Sequence, residues 1–98
     1  HGPDGSLIFV RGPYPASTLV PLEQMVAEGQ RVRRSSTVAG HASVELRYTR
    51  EGVQWAQQHV RVDWTNGDSL VITTQCPSTA RKVAFKATAA LIPTLSAP

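Results

Sequence analysis

The chain has 98 residues, enough for one domain with one modest core. Its single cysteine excludes an internal disulfide framework, and no apolar run has the length of a membrane span or the pattern of a signal peptide. Ten basic residues against seven acidic ones leave a net charge of +3, which permits an acidic partner without demanding one.

Residues 1–6 read as a disordered or cloning-derived tail, and residues 7–98 as a single α+β domain. Because the chain starts at His1 rather than Met, missing targeting signals carry no information about where the parent protein resides. Leu7-Ile8-Phe9-Val10 is a continuous apolar run that suits a strand covered on both sides, ending at Arg11-Gly12-Pro13. Pro13 and Pro15 predict an extended linker. Ser17 or Thr18 then caps a predicted helix whose first turn tolerates Pro21. Leu19, Leu22, Met25 and Val26 form its apolar stripe, and Gly29 ends it. Arg31 to Ser36 is polar and basic, and Thr37-Val38-Ala39 predicts a short strand before Gly40.

From Ala42 to Cys76 the pattern is that of a three-strand meander. Ala42, Val44, Leu46 and Tyr48 alternate with Ser43, Glu45, Arg47 and Thr49, the period of a strand with one buried face. Ala56, Val60, Val62 and Trp64 share a phase after Gly52, and Leu70, Ile72, Thr74 and Cys76 share one after Gly67. A two-residue Asn66-Gly67 turn would set Leu70 against Asp63 and Ile72 against Arg61. A three-residue Thr65-Asn66-Gly67 loop sets Val62 against Leu70 and Val60 against Ile72. The second register is preferred by roughly 1–2 kcal/mol per buried side chain. The same rule applied to Arg50-Glu51-Gly52 opposes Leu46 to Ala56 and Ala42 to Val60. The predicted inner rows are Ala42–Val60–Ile72, Val44–Gln58–Thr74 and Leu46–Ala56–Cys76. Ser43, Glu45, Arg47, Trp55, Gln57, His59, Arg61, Asp63, Val71, Thr73 and Gln75 then fall on a mostly polar outer face.

Cys76-Pro77-Ser78 closes the sheet. Ser78 is placed to cap a last helix from about Thr79 to Ile92, with Val83, Ala84, Ala87, Ala90 and Leu91 as its buried stripe and Pro93 as its stop. The expected architecture is α+β: an antiparallel sheet, the meander plus flanking strands, with two helices packed on one face.

No constellation of nucleophile, base and stabiliser stands out, so the expectation is not an enzyme, with no cofactor and no metal. Cys76 falls on the inner face and His59 on the outer, so they form no dyad. His59 and Asp63 lie too far apart along one strand, roughly 13 Å, to share a metal. Trp55, opposite Arg47 in this register, is either a cation–π pair shielding the sheet or an anchor for a partner, with Gln57, Gln75 and His59 beside it. Gln58 and Thr74 form a polar row on the inner face and are expected to bond each other or a helix end. Ser78, Thr79, Arg81 and Lys82 put positive charge at a helix start, against the dipole, as an anion site would require; a solvated surface explains them too. Arg31, Arg33 and Arg34 make a second basic patch, without the aromatic pair or motif that nucleic-acid binding calls for.

The order of Thr37-Val38-Ala39-Gly40-His41-Ala42, Val44-Glu45-Leu46-Arg47-Tyr48-Thr49, Gly52-Val53-Gln54-Trp55-Ala56-Gln57-Gln58 and Leu70-Val71-Ile72-Thr73-Thr74-Gln75-Cys76-Pro77, followed by a helix ending Ile92-Pro93-Thr94-Leu95, resembles the PsbP-like superfamily. The DcrB-related, LpqN-type and type VII secretion-associated branches are the most similar, although His41 stands where those families usually have Pro. The resemblance implies a non-catalytic protein-binding module (a chaperone or adaptor) of the bacterial cell envelope, extracytoplasmic, or else a cytoplasmic secretion chaperone. On that reading the partner is a protein bound on the exposed sheet face around Trp55, Arg47, Gln57, Gln75 and His59. The alternative is a small-molecule or anion receptor, for instance of a lipid headgroup, at Ser78, Thr79, Arg81 and Lys82.

Overall fold

The computed structural model of the chain describes residues 6–19, 21–26, 29–64 and 66–95. Five strands form one antiparallel sheet: β1 (Leu7–Pro15), β2 (Arg31–Val38), β3 (His41–Arg50), β4 (Val53–Asp63) and β5 (Asp68–Pro77). Their spatial order is β1-β5-β4-β3-β2, a meander from β2 to β5 with β1 returning alongside β5. One α-helix follows, α1 (Arg81–Leu91), with a 3₁₀ turn before it (Ser78–Ala80) and another after it (Ile92–Thr94). The architecture is α+β and mostly sheet. No helix among the described residues is long and apolar enough to cross a membrane. Residues 1–5 of the expected tail lie outside the described residues, and Ser6 is buried beside β1.

Turn chemistry sets the registers. Ala39-Gly40 and Glu51-Gly52 each place two consecutive residues at positive φ (50° and 83°, 52° and 77°). That is the signature of the two-residue turn whose twist matches its flanking strands. Val38 therefore pairs with His41, and Arg50 with Val53. The expected three-residue loop at Arg50-Glu51-Gly52 is corrected by one residue, and every β3 side chain changes face relative to β4. Val44 faces His59, Leu46 faces Gln57 and Tyr48 faces Trp55, while Ser43, Glu45 and Arg47 join Val60, Gln58 and Ala56. At the β4–β5 turn Thr65 lies outside the described residues. There Val60 faces Ile72 and Val62 faces Leu70, as expected, with Gly67 at φ +91°.

The slip is affordable because both faces of the sheet are covered. On one face Ala80 and Ala84 of the helical segment pack on Ala56 and Cys76, and Ile92 packs among Val60, Val62, Leu70 and Ile72. On the other face Leu22 and Met25 pack against Val44 and Leu46. Among the described residues, 3₁₀ turns at Ala16–Thr18 and Leu22–Gln24 stand in place of the expected helix between Ser17 and Gly29. Pro15 and Pro21 each lack a backbone donor, and Pro21 sits extended at φ −54°, ψ 145°. The segment crosses the sheet instead, opposite α1, so the expectation of two helices on one face is replaced by one element on each face.

Two further expectations change. β1 runs on through Pro13 to Pro15 with a bulge between Arg11 and Tyr14, and the short strand at Thr37 is the end of the eight-residue β2. The buried stripe of the last helical segment is Ala80, Ala84, Thr88 and Ile92; of the predicted stripe Ala84 is buried, whereas Val83 is 65% exposed. Thr88 is accommodated by hydrogen bonds: its hydroxyl shares a bond with Thr74 and donates to the Ala84 carbonyl at 3.1 Å. Thr74 thus bonds the helix rather than Gln58, whose buried Oε1 has no partner among the described residues.

Covered faces make a direct prediction. Val71, on the face opposite α1, is 1% exposed. Val71→Ala should cost about 1–3 kcal/mol in urea unfolding, whereas on a solvated face it would cost a few tenths at most.

Candidate functional site

The crossing segment covers its sheet face incompletely. Between it and β1, β5 and β4 lies a cleft of about 720 Å³. Its floor is mostly polar and comes from alternate residues of two paired strands, Gln57 and His59 of β4 and Val71, Thr73 and Gln75 of β5. Phe9, Arg11 and Tyr14 of β1 form one wall, and Leu19, Met25 and Val26 of the crossing segment form the other.

The floor is an interlocked ladder. Gln57 Oε1 accepts from Gln75 Nε2 at 2.9 Å and from Gln30 Nε2 at 3.1 Å. Gln57 Nε2 lies 3.1 Å from His59 Nε2 and is its donor, so the imidazole carries its proton on Nδ1 and donates to Thr73 Oγ1 at 2.9 Å. Arg11 Nη2 reaches the same hydroxyl at 3.5 Å, its guanidinium lying over the Phe9 ring. Gln57, His59 and Thr73 are each less than a tenth exposed, so these bonds are what make their burial tolerable. Burial, and secondarily the Arg11 charge, hold the His59 pKa below its usual 6.5 against the opposing pull of the Met25 carbonyl. The ladder is therefore neutral at neutral pH.

Of the residues expected to bind a partner, Gln57, Gln75 and His59 meet in this cleft. Trp55 is on the same sheet face but lines a separate hollow of about 300 Å³ and stacks on Tyr48, its cross-strand neighbour, at 6.4 Å between centroids. Arg47 is on the α1 face, opposite Ala56 rather than Trp55, so the expected Trp55–Arg47 pair is replaced by the Tyr48–Trp55 stack. Sequence reasoning missed the β1 wall. Its only trace is that Arg11, just past the apolar run, falls two residues after Phe9 and so on the same strand face.

The basic start of the last helical segment meets an anion of the protein's own. Arg81 donates to both oxygens of Glu45, from Nη2 to Oε1 at 2.6 Å and from Nε to Oε2 at 2.9 Å. Arg33 Nη1 and Arg47 Nε add contacts at 2.9 and 3.2 Å, and Arg34 Nε lies at 3.8 Å. Arg47 also donates to Ser78 Oγ at 3.1 Å, so Ser78 acts as an acceptor here rather than as the expected helix cap. Thr79 and Lys82 are exposed. Glu45, expected on a wet face, is 4% exposed. Burial alone would raise its carboxyl, but hydrogen bonds from Arg81, Arg33 and Arg47 outweigh this and bring it to about 2.

Cys76 is buried on the α1 face, away from His59, and burial pushes its thiol upward. Among the described residues no three His, Cys, Asp or Glu side chains gather as metal ligands. No protein-family model, curated protein or solved structure matches the chain.

Acid titration separates the two buried groups. His59 binds protons more weakly folded than unfolded, so stability declines as pH falls below 6.5. Glu45 contributes fully above pH 4.5, and its contribution is lost as pH falls toward about 2. After screening of the outer arginines this amounts to on the order of 2 kcal/mol. Urea midpoints measured against pH should show both declines; His59→Gln should remove the first and Glu45→Gln the second.

Proposed function

We propose that this protein is a non-catalytic binding module that seats a segment of a protein partner in the cleft over Gln57, His59, Thr73 and Gln75. The cleft is the observation that carries this reading. Its floor is mostly polar, buried and neutral, its walls are aromatic and aliphatic, and its rim includes Tyr14 and Val26, which are 39% and 36% exposed. A few convergent polar groups within apolar walls make a recognition site, and a tyrosine at the rim is the residue type that anchors protein partners. Arg11 adds one positive charge to the wall, favouring a neutral or acidic segment. The setting we propose, the bacterial envelope or a secretion pathway, follows from the resemblance to PsbP-like domains.

A receptor for small anions at Ser78, Thr79, Arg81 and Lys82 is the weaker reading. Arg81 and Arg47 already direct their donors at Glu45 and Ser78, so an incoming anion would have to compete with a buried carboxylate.

Peptides selected from a random display library against the immobilised protein provide the test. Tyr14→Ala and Val26→Glu should each weaken the selected peptides by about tenfold or more, equivalent to about 1.4 kcal/mol, without lowering the melting temperature. Val83→Glu, on the exposed side of α1, should leave binding unchanged. Affinities indifferent to both cleft substitutions would rule the cleft out.

A further inference from the structure

The two edges of the sheet are built differently. β1 carries Pro13 and Pro15, which have no N–H to offer, and a bulge between Arg11 and Tyr14. Those are the devices by which proteins close an edge. β2 contains no proline; it too is irregular between Val32 and Arg34, but from Arg34 to Val38 its pairing is regular, and among the described residues it pairs with β3 on one side only. All of its residues except Val38 are exposed. An edge of this length leaves a row of backbone donors and acceptors for another strand.

The charge on this edge selects what can pair with it. Arg31, Arg33 and Arg34 lie on β2, and Arg33 and Arg34 keep 46% and 61% of their side chains exposed while contacting Glu45. Four guanidinium groups, those of Arg33, Arg34, Arg47 and Arg81, surround that one carboxylate, so the cluster carries surplus positive charge toward the edge. A second copy pairing here would bring arginines against arginines, which is unfavourable across strands. An acidic strand meets the opposite situation. On the α1 side the edge also borders a groove of about 420 Å³, where Ser36 and Val38 face Phe85, Lys86 and Ala89. Side chains of an added strand would lie along it, beside the further positive charge of Lys86.

We infer that the outer edge of β2 accepts an extended acidic segment of another protein as a sixth strand. Backbone hydrogen bonds hold the segment, and its carboxylates pair with the guanidinium groups of Arg31, Arg33 and Arg34. This surface is separate from the cleft, so either proposal can fail without the other.

The test uses a fluorescein-labelled, acetylated Glu-Thr-Glu-Thr-Glu-Thr-Glu amide, with the same peptide carrying Lys for Glu as the control. Anisotropy should show saturable binding of the acidic peptide, at least about tenfold tighter than the control and weakened by salt. Amide shifts should concentrate in residues 31–38. Two further peptides, N-methylated at one or the other set of alternate residues, separate strand addition from simple charge attraction. One of the two should lose binding, because successive N–H groups of a strand point to opposite sides. Ser36→Pro and Thr37→Pro give the same information from the protein's side. The variant that keeps its melting temperature has lost an outward donor, and it should bind about tenfold more weakly or worse. Absence of binding, shifts outside β2, or undiminished binding of both N-methylated peptides would overturn the inference. So would a dimer in sedimentation that excludes the peptide, which would make a second copy the occupant.

Discussion

Three elements of the structure are tied together at one buried carboxylate. Glu45 sits on β3, Arg33 and Arg34 come from β2, Arg47 from β3 itself, and Arg81 from the start of α1. Burying a carboxylate is unfavourable by several kcal/mol unless its lone pairs are met, so this arrangement adds less to net stability than it does to the choice among alternatives. A one-residue slip of β3 against β4 would carry Glu45 into the apolar cluster under Leu22 and Met25. The apolar side chains resist such a slip less, because each face of the sheet has a cover and Val44 and Leu46 would find apolar surroundings on either. The charge discriminates where hydrophobicity does not, and the left-handed pair Glu51-Gly52 sets the same register from the turn.

That asymmetry explains which parts of the fold were legible in the sequence. The β4–β5 register was readable because a slip there sets Leu70 and Ile72 against Asp63 and Arg61, a mismatch visible in the residues alone. The β3–β4 register was not, because the alternation rule assumes one wet face. Once Leu22 covers the second face, Val44 and Leu46 need not share a side with Val60. The segment around Leu19, Leu22, Met25 and Val26 has helical spacing, but spacing alone does not weigh Pro15 and Pro21 against it. Leu22 and Met25 still pack on the sheet, but from around a 3₁₀ turn and on the other side. In α1 the narrow stripe was ambiguous, since alanines occur on several rows, and the Thr74–Thr88 bond joins a strand residue to a helix residue with no local pattern linking them.

The candidate site divides along the same line. Gln57, His59 and Gln75 fall together on one sheet face because all three depend only on the β4–β5 register. Arg47 was lost from the group because it depends on β3. Phe9 and Arg11 were not identifiable as neighbours of Thr73 by any local pattern: β1 joins β5 across most of the chain, and strand adjacency over that separation leaves no periodicity to read.

The polar floor remains the least economical feature of the molecule as pure architecture. With Leu22 and Met25 already covering part of that face, valine or isoleucine at positions 57, 59 and 73 would bury apolar area and need no hydrogen bonds. A glutamine–histidine–threonine ladder is stable only because every member is bonded to the next, and it holds its side chains in fixed orientations at the bottom of a cleft. The remaining polar capacity therefore faces inward to the cleft, on the side away from the Glu45 cluster. The sheet separates two environments accordingly: a concavity with a neutral floor on one face, and on the other a positively charged seam running from α1 to the β2 edge. A fold this small that devoted both faces to stability alone would leave neither.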